Sequence, residues 1–531
     1  MAGPSAKRSF RLRRALVQAA SLALFLWLLW AADGPPDIFQ RLDPLASAAA
    51  ILAGRQWIAA LWPVLPLLAL TLFAGRLFCG WLCPLGATLD AASGLMNLPA
   101  RRPSGPPRPS RRAKYLILTA VLAAALAGVN LAHWVSPLPL VTRFYALLIH
   151  PLLLLGGHEA LNLSRPLWDS LDWPALSYLS LAPRRFASMY FLAAVFGLMF
   201  WLERVGPRFW CRFLCPAGAL LGLFSQRPLW RRRVSASCVH CGRCACPVQA
   251  DRPGECLTCQ ACVAACPAGG TAFGFRGDAA PPDGEPDASA RSRRAFLAAA
   301  LGGLGLAGME RSGLASLLGP EAPRGVLWPE NGLRPPGALP EAAFLARCLR
   351  CGLCMRACPT NGLQPAWLEA GPQGLFSPVL VPRRGPCEPD CNLCGRVCPT
   401  RAITPLALEE KRWAKIGGAV LHHNRCLAWA EDKSCLVCQE VCPYGAIEIA
   451  RAGALLTPAP AVRAFRCAGC GYCEQHCPVR AITVQPPGAL RLAQGSYIQA
   501  GRAAGLDLAP RKDGGRPAET PEGGLPPGFG E

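Results

Sequence analysis

Cys467-Ala-Gly-Cys470-Gly-Tyr-Cys473-Glu-Gln-His-Cys477-Pro478 sets three cysteines at equal steps and a fourth slightly further on, directly before proline. Three thiols on so tight a loop face one centre, while the fourth is carried away from it. This spacing, C-x2-C-x2-C-x3-C-P, brings sulfurs to the iron corners of a [4Fe–4S] cube. Where two such cubes share a fold, the fourth cysteine serves the neighbouring cluster, so the motifs come in interlocked pairs.

Reading outward, Cys348, Cys351, Cys354 and Cys358-Pro359 repeat the spacing unchanged. Between the two lie Cys387, Cys391, Cys394 and Cys398-Pro399, with one extra residue in the first gap, and Cys426, Cys435, Cys438 and Cys442-Pro443, with a long first gap. Nearer the amino end, Cys256, Cys259, Cys262 and Cys266-Pro267 are standard. Their partner is Cys238, Cys241, Cys244 and Cys246-Pro247, whose last gap holds one residue instead of three. Cys246 is still expected to be a ligand. Zinc sites use C-x2-C pairs, and disulfides suit an oxidising compartment. Neither calls for a third cysteine at the same step and a fourth before proline, so about six [4Fe–4S] clusters are expected. No C-x-x-C-H haem signature occurs. For residues 345–485 a nested pairing is favoured: Cys348, Cys351 and Cys354 with Cys477, Cys467, Cys470 and Cys473 with Cys358, and Cys398 and Cys442 exchanged between the inner motifs. Sequential pairing is the alternative that spacing leaves open.

Two further pairs stand apart. Cys79 and Cys83-Pro84 lie in Gly75-Arg-Leu-Phe-Cys-Gly-Trp-Leu-Cys-Pro-Leu-Gly, and Cys211 and Cys215-Pro216 in Phe209-Trp-Cys-Arg-Phe-Leu-Cys-Pro-Ala-Gly. Together they offer four sulfurs, enough for a metal or cluster. The competing reading is two redox-active or structural cysteine pairs at helix ends.

Hydrophobic residues make up 52% of the 531, and charged ones 17% against the roughly 25% usual in soluble domains. Membrane segments are expected. The net charge of +22 is almost wholly arginine, in short clusters beside apolar runs. That pattern fixes membrane orientation and argues against a nucleic-acid partner. Ala15 to Ala32 follows Lys7, Arg8, Arg11, Arg13 and Arg14 and reads as a first helix starting in the cytoplasm. A signal peptide competes, but no convincing small-residue cleavage site follows. Further spans are expected at Trp57 to Ala74, Tyr115 to Val135 and Phe186 to Leu202, with Leu98 to Lys114 an arginine-rich cytoplasmic loop. Arg204, Arg208, Arg212, Arg227 and Arg231 to Arg233 then return the chain to the cytoplasm, although Arg184 and Arg185 on the opposite flank count against this. Leu138 to Leu155 contains Pro139, Arg143 and Pro151 and is read as re-entrant or interfacial. If it spanned, every later compartment would invert. Arg291-Ser-Arg-Arg-Ala-Phe-Leu and the Gly/Ala-rich run to Met309 look like a twin-arginine export signal inside the chain. A weakly hydrophobic helix with a basic flank is the alternative.

The expected fold is an α-helical membrane bundle of four to five transmembrane helices plus two α+β bacterial-ferredoxin-like modules. Its parts are a transmembrane domain (10–233), a cytoplasmic two-cluster module (234–275), a linker with a fifth membrane helix (276–344), a periplasmic four-cluster module (345–485) and a flexible tail (486–531).

Four spans with two C-x3-C-P repeats and a cytoplasmic two-cluster ferredoxin resemble the membrane quinol-dehydrogenase component of periplasmic nitrate reductase systems (NapH type). A twin-arginine segment followed by four cluster motifs resembles its periplasmic ferredoxin-type companion (NapG type), and the paired ferredoxins of methylamine utilisation are similar. The resemblance covers roughly residues 10–485, with both halves fused. It implies a multi-pass protein of the bacterial inner membrane that oxidises quinol and passes electrons to a periplasmic reductase or cytochrome, with a soluble cytoplasmic donor as the alternative source through the cytoplasmic clusters. The shortened Cys244–Cys246 gap and the internal export-like signal depart from the pattern, and the helix after that signal is expected to stay as an anchor. His133, His150 and His158 are the candidate proton acceptors for quinol, each competing with a packing or interfacial role. An accessory protein that reduces or matures the metal centre of a periplasmic enzyme is the alternative function.

Overall fold

The computed structural model describes residues 4–30, 35–96, 112–179, 181, 184–206, 208–239, 241, 253–275, 293–311, 332–367, 374–451, 456–486 and 488–508. Cys244, Cys246, most of the 98–114 loop, Arg291 with the linker before it, and everything beyond 508 lie outside these. The chain forms two compact units. The first comprises Met1–Pro320, Leu345–Leu353 and Val397–Ala402, and the second Glu321–Phe344, Cys354–Arg396 and Ile403–Glu531.

The first unit is mainly helical. Its helices are α1 (Pro4–Trp30), α2 (Pro44–Gly54), α3 (Val64–Ala74), α4 (Pro84–Leu95) and α5 (Arg112–Leu126). They continue as α6 (Pro137–Ser170), α7 (Met189–Leu202), α8 (Pro216–Phe224) and α9 (Arg293–Arg311). An antiparallel pair, β1 (Trp230–Val234) and β2 (Thr271–Phe275), brackets the motifs between 238 and 266.

Two helices, Leu12–Trp30 and Pro137–Ser170, are long and apolar enough to cross a membrane, whereas Ala59–Ala74, Met189–Leu202 and Arg294–Met309 are shorter apolar helices. The expected third span stops early, at Leu126. Gly128 takes φ 87°, a left-handed value that suits glycine and ends a helix. The stretch carrying Asn130 and His133 therefore leaves the α-helix, with Ala132–Trp134 forming a short 3-10 turn. Residues 138–155, expected as a re-entrant or interfacial segment, lie within one continuous helix. Pro137 occupies its first turn, where no N–H is needed. A π turn at Phe144–Ile149 precedes Pro151, and the Arg143 guanidinium bonds the Pro139 and His133 carbonyls. The sequence reading did not include α2. Asp43 starts it, accepting from Leu45 N–H (3.1 Å) and Ala46 N–H (3.0 Å), with Pro44 at the first position.

Helices α5 and α9 pack through small residues. Ala124, Val129 and Ala307 form one buried cluster, and a Cβ at Gly303 would strike the Ala120 carbonyl. Such close backbone approach is how apolar helices associate without a hydrophobic driving force between them.

The second unit is built on short strand pairs: β3 (Leu363–Pro365) with β4 (Pro378–Leu380), β5 (Gly418–Leu421) with β8 (Ile482–Gln485), and β6 (Ile447–Ala450) with β7 (Ala459–Val462). Pair β5–β8 encloses the motifs between 426 and 477, and β6–β7 lies inside it. A bridge between Ala338 and Ile403 likewise encloses the motifs between 348 and 398, with β3–β4 inside. Residues 338–403 and 418–485 therefore each follow one plan, an outer pair around an inner pair. The flexible tail expected at 486–531 has ordered packing in its first part. Residues 488–508 pack through buried Tyr497 and Leu508, and Glu410 accepts from Ser496 Oγ and Tyr497 N–H at 2.6 Å each.

Replacing Gly303 with valine is expected to cost about 1–3 kcal/mol through overpacking. It should read as a lowered thermal midpoint of the detergent-solubilised chain, and an unchanged midpoint would count against the α5–α9 contact.

Candidate iron–sulfur sites

In the second unit twelve cysteines gather around three cavities. Cys358, Cys387, Cys391 and Cys394 line one of about 390 Å³. Cys442, Cys467, Cys470 and Cys473 line another of about 330 Å³, and Cys426, Cys435, Cys438 and Cys477 a third of about 340 Å³. Each ring joins three cysteines of one motif to the last cysteine of its neighbour. Pairing is therefore sequential, and the nested pairing favoured from spacing is corrected. The outer bridge at 338–403 closes the first two motifs into one fold before β5 begins.

Local structure explains the rings. The third cysteine opens or lies in a single helical turn, such as Tyr472–His476 or Leu393–Arg396, and the last cysteine follows that turn, ahead of proline. Gly471 holds φ 91° against Pro382, where a Cβ would clash. Backbone N–H groups point at sulfur: Ala446 to Cys442 at 3.2 Å, Ala481 to Cys477 at 3.2 Å and Ala419 to Cys467 at 3.4 Å. Two rings meet directly, because Cys387 N–H donates to the Cys470 carbonyl at 2.7 Å.

Burial, reinforced by Cys435, Cys426 and Cys477, pushes the Cys438 thiol up to about 12. Burial with Cys387 and Cys391 also pushes Cys394 up. Such rings ionise only around a cationic centre. Among the described residues no group of three or more His, Cys, Asp or Glu side chains closes tightly enough for a single ion. The all-thiol donor sets of these rings suit an iron–sulfur cluster.

The loop 345–353 belongs to the first unit. There burial, with Cys348 and Cys398 close by, pushes Cys351 up to about 12, so Cys398 joins this motif's cysteines. The loop is held by Asn130 Nδ2 on the Ala346 carbonyl (3.1 Å), by Arg347 on Gln56 and by Arg350 against the His133 ring (2.7 Å to Nδ1).

At another place in this unit the two C-x3-C-P repeats come together. Between the paired cysteines each repeat forms a π turn, Phe78–Leu82 and Trp210–Leu214, closed by Cys83 N–H on the Phe78 carbonyl (2.8 Å) and Cys215 N–H on the Trp210 carbonyl (2.9 Å). Cys83 and Cys215 then cap α4 and α8, each with proline at the first position. Cys83, Cys211 and Cys215 are buried and Cys79 half-buried. Burial first, then Cys79 and its neighbours, raises all three buried thiols, Cys211 to about 12.

Two arginines and two carboxylates frame them. Arg208 reaches across to the Cys79 carbonyl (2.6 Å) and is clamped by Asp90 (2.9 and 2.8 Å). Arg76 lies under Gly218 of the other repeat and 3.7 Å from Glu255. Glu255 also pairs with buried Lys114 and accepts from Tyr115 Oη (2.7 Å). Burial works against the Glu255 charge, but Lys114, Tyr115 and Arg76 outweigh it and hold the carboxyl below its usual range. The Cys256–Cys262 loop docks here: Trp81 Nε1 donates to the Thr258 carbonyl at 3.1 Å, and a Cβ on Gly80 would strike the Leu257 carbonyl. Cys238 is half-buried and Cys241 exposed.

Sequence reasoning passed over Arg76, Arg208 and Glu255. The signal for the arginines was present, since each stands three residues before the first cysteine of its repeat, and Gly86 and Gly218 stand two after the proline. Of the histidines, His133 is buried beneath Arg350, His150 lies 5.8 Å from the Trp30 ring and His158 is half-buried in α6.

Thiol-ringed cavities on paired ferredoxin folds define a ferredoxin-type iron–sulfur protein. A family described as "4Fe-4S binding domain" matches residues 56–103 and 186–235, and a second of that description matches 345–364 and 460–483. The chain is 35% identical over 191 residues to the methylamine utilization ferredoxin-type protein MauM of Paracoccus denitrificans, covering 35% of this chain and 79% of that protein. It is 38% identical over 147 residues to the ferredoxin-type protein NapG of Escherichia coli K12 (26% and 63%) and 28% identical over 227 residues to the putative electron transport protein YccM of the same strain (40% and 55%). The matched stretches span roughly two thirds of the length of several of these relatives. No solved structure matches. The chain belongs to the MauM/NapG family of ferredoxin-type proteins.

Two outcomes are expected. Sequential pairing predicts that Cys358→Ser, Cys387→Ser and the double variant each lose about four irons, whereas nested pairing would make the double lose twice that; metal analysis of anoxically purified chain decides. Glu255 contributes to docking above the ordinary carboxylate range, and that contribution fades as acid protonates it. Glu255→Gln should accordingly speed hydrogen exchange across 253–266 at neutral pH, and equal exchange in both proteins would exclude the role.

Proposed function

We propose that the chain is a membrane-bound electron carrier that takes electrons from quinol and delivers them to a periplasmic reductase or cytochrome. The observation that carries this reading is the backbone hydrogen bond from Cys387 to Cys470, which sets two thiol rings side by side. Bound [4Fe–4S] clusters would supply one-electron chemistry without bond rearrangement. Ligands would be the six quartets named above, with Cys354 completing the motif of Cys348 and Cys351, and Cys244 and Cys246 completing that of Cys238 and Cys241.

The membrane part of the proposal rests on two helices of spanning length and on the apolar helices between them. The arginine clusters at the start of α1 and before α5 mark the side that faces the cytoplasm. The small-residue seam between α5 and α9 supports retention of the twin-arginine-like segment as an anchor, because cleavage would strip Gly303 and Ala307 from their partners. Arg350 against the His133 ring makes that histidine a poor free base, which leaves His150 and His158 as the better candidates for a quinol proton. The names of MauM and NapG support ferredoxin-type electron transfer as the chemistry.

Anoxic full-length protein is expected to lose visible absorbance when a reduced short-chain quinol is added, with dithionite completing the bleach. Bleaching by dithionite alone would overturn the quinol reading. If a deletion strain loses the metal centre of a periplasmic enzyme instead of electron delivery to it, the chain is an accessory protein.

A further inference from the structure

We propose that Lys411 raises the reduction potential of the cluster held by Cys358, Cys387, Cys391 and Cys394. The proposal rests on the reading of the chain as an iron–sulfur carrier and assigns a potential-setting residue to one of its sites.

The motif that begins at Cys387 departs from the standard spacing by one residue in its first gap. All three residues of that gap meet the short helix Leu408–Trp413, which folds back over the loop. The Glu388 and Pro389 carbonyls accept from Lys411 Nζ, the second at 3.1 Å, and Asp390 accepts from Arg412 Nε at 3.0 Å. The same ammonium bonds the Cys387 sulfur and its field reaches Cys394. An ammonium has three donors. Two of them anchor it to the loop and the third is aimed at a ligand of the ring. The standard gap, as in Cys467-Ala-Gly-Cys470, is one residue too short to build this seat.

Lys411 is only 4% exposed. The acids of the loop are engaged elsewhere, Asp390 with Arg412 and Glu388 accepting from Tyr472 Oη, and among the described residues no carboxylate pairs with Lys411. A buried ammonium held by neutral carbonyls alone is costly. A cubane on four thiolates supplies the missing anion. It carries net negative charge and gains more on reduction, so a cation at its edge favours the reduced form. Hydrogen bonds to ligand sulfur act in the same direction.

The place of the cation gives it a use. Cys387, which Lys411 bonds, is also the residue whose N–H donates to the Cys470 carbonyl of the adjoining ring. An electron that crosses this contact is held on the Lys411 side. The residue touches neither donor nor acceptor and acts through the cluster, as a positioning residue.

Redox titration of anoxic full-length protein by electron paramagnetic resonance tests this, the signal of the ring being the one missing from Cys391→Ser. In Lys411→Met that signal should move to lower potential. Its reduced-to-oxidised ratio at the wild-type midpoint should fall about tenfold, the worth of one hydrogen bond to a charged group. Lys411→Arg keeps the charge and should stay near wild type, and exposed Lys433→Met should leave the signal in place. An unmoved midpoint in Lys411→Met overturns the proposal, as does an equal fall in Lys411→Arg or Lys433→Met. Should Lys411→Met lose the cluster, pulsed resonance of wild type grown on lysine of heavy nitrogen carries the test. A lysine nitrogen should couple to the same signal in the reduced protein, and no coupling overturns the proposal. A chain that holds no iron would instead remove the carrier reading itself.

Discussion

Everything in this molecule is arranged around thiols that cannot be buried together unless something cationic is buried with them. Each ring places four sulfurs around an apolar pocket, where burial and neighbouring cysteines push the thiols of Cys387, Cys394, Cys438, Cys470 and Cys473 up. Iron supplies the charge that reverses this, so assembly of the clusters and consolidation of the fold are one event. The secondary structure is correspondingly slight: strand pairs of three to five residues, single helical turns, and glycines such as Gly471 where the chain must bend back against Pro382. Core cluster members are often the cysteines themselves, as with Cys442, Cys467 and Cys470 around Leu508. Such a core has little to hold it when the metal is absent.

Charge is handled differently in the helical unit. Arg76, Lys114 and Glu255 are buried as a group, and Arg208 is buried against Asp90. A buried ion pair is weak evidence of stability, because desolvation offsets the attraction. What the groups share is proximity to cysteine: Arg76 to Cys79 and Cys215, Arg208 to Cys211, Arg143 to Cys351. Positive charge beside a cluster raises its reduction potential. The helical unit thus places cations where electrons would rest, which the small strand pairs of the second unit do less often, Lys411 beside Cys387 being one instance.

The cysteines were legible from spacing alone, because ligation is a local rule written every third residue. Pairing was not, because it depends on which strands close which loop. The bridge between Ala338 and Ile403 is too short to leave a pattern in sequence. Hydropathy located the apolar helices but overran α5, since it does not register that Gly128 must turn left-handed. It also discounted 138–155 for its prolines and Arg143, although Pro137 opens the helix and Arg143 spends its donors on nearby carbonyls. The tail reads as flexible from 486, yet Tyr497 and Leu508 are buried. The paired arginines are legible in the shared spacing, each three residues before the first cysteine of its repeat.

Helix α5 ties these observations together. Near its start Lys114 meets Glu255 and the Cys256 loop, and just past its end Asn130 holds the Ala346 carbonyl and the Cys348 loop. From Lys114 to Leu126 the axis advances about 18 Å at 1.5 Å per residue. Two sets of cysteines are thereby fixed at opposite ends of one apolar helix, with small-residue packing along its length in place of redox side chains. Electrons therefore have no thiol-to-thiol path along α5.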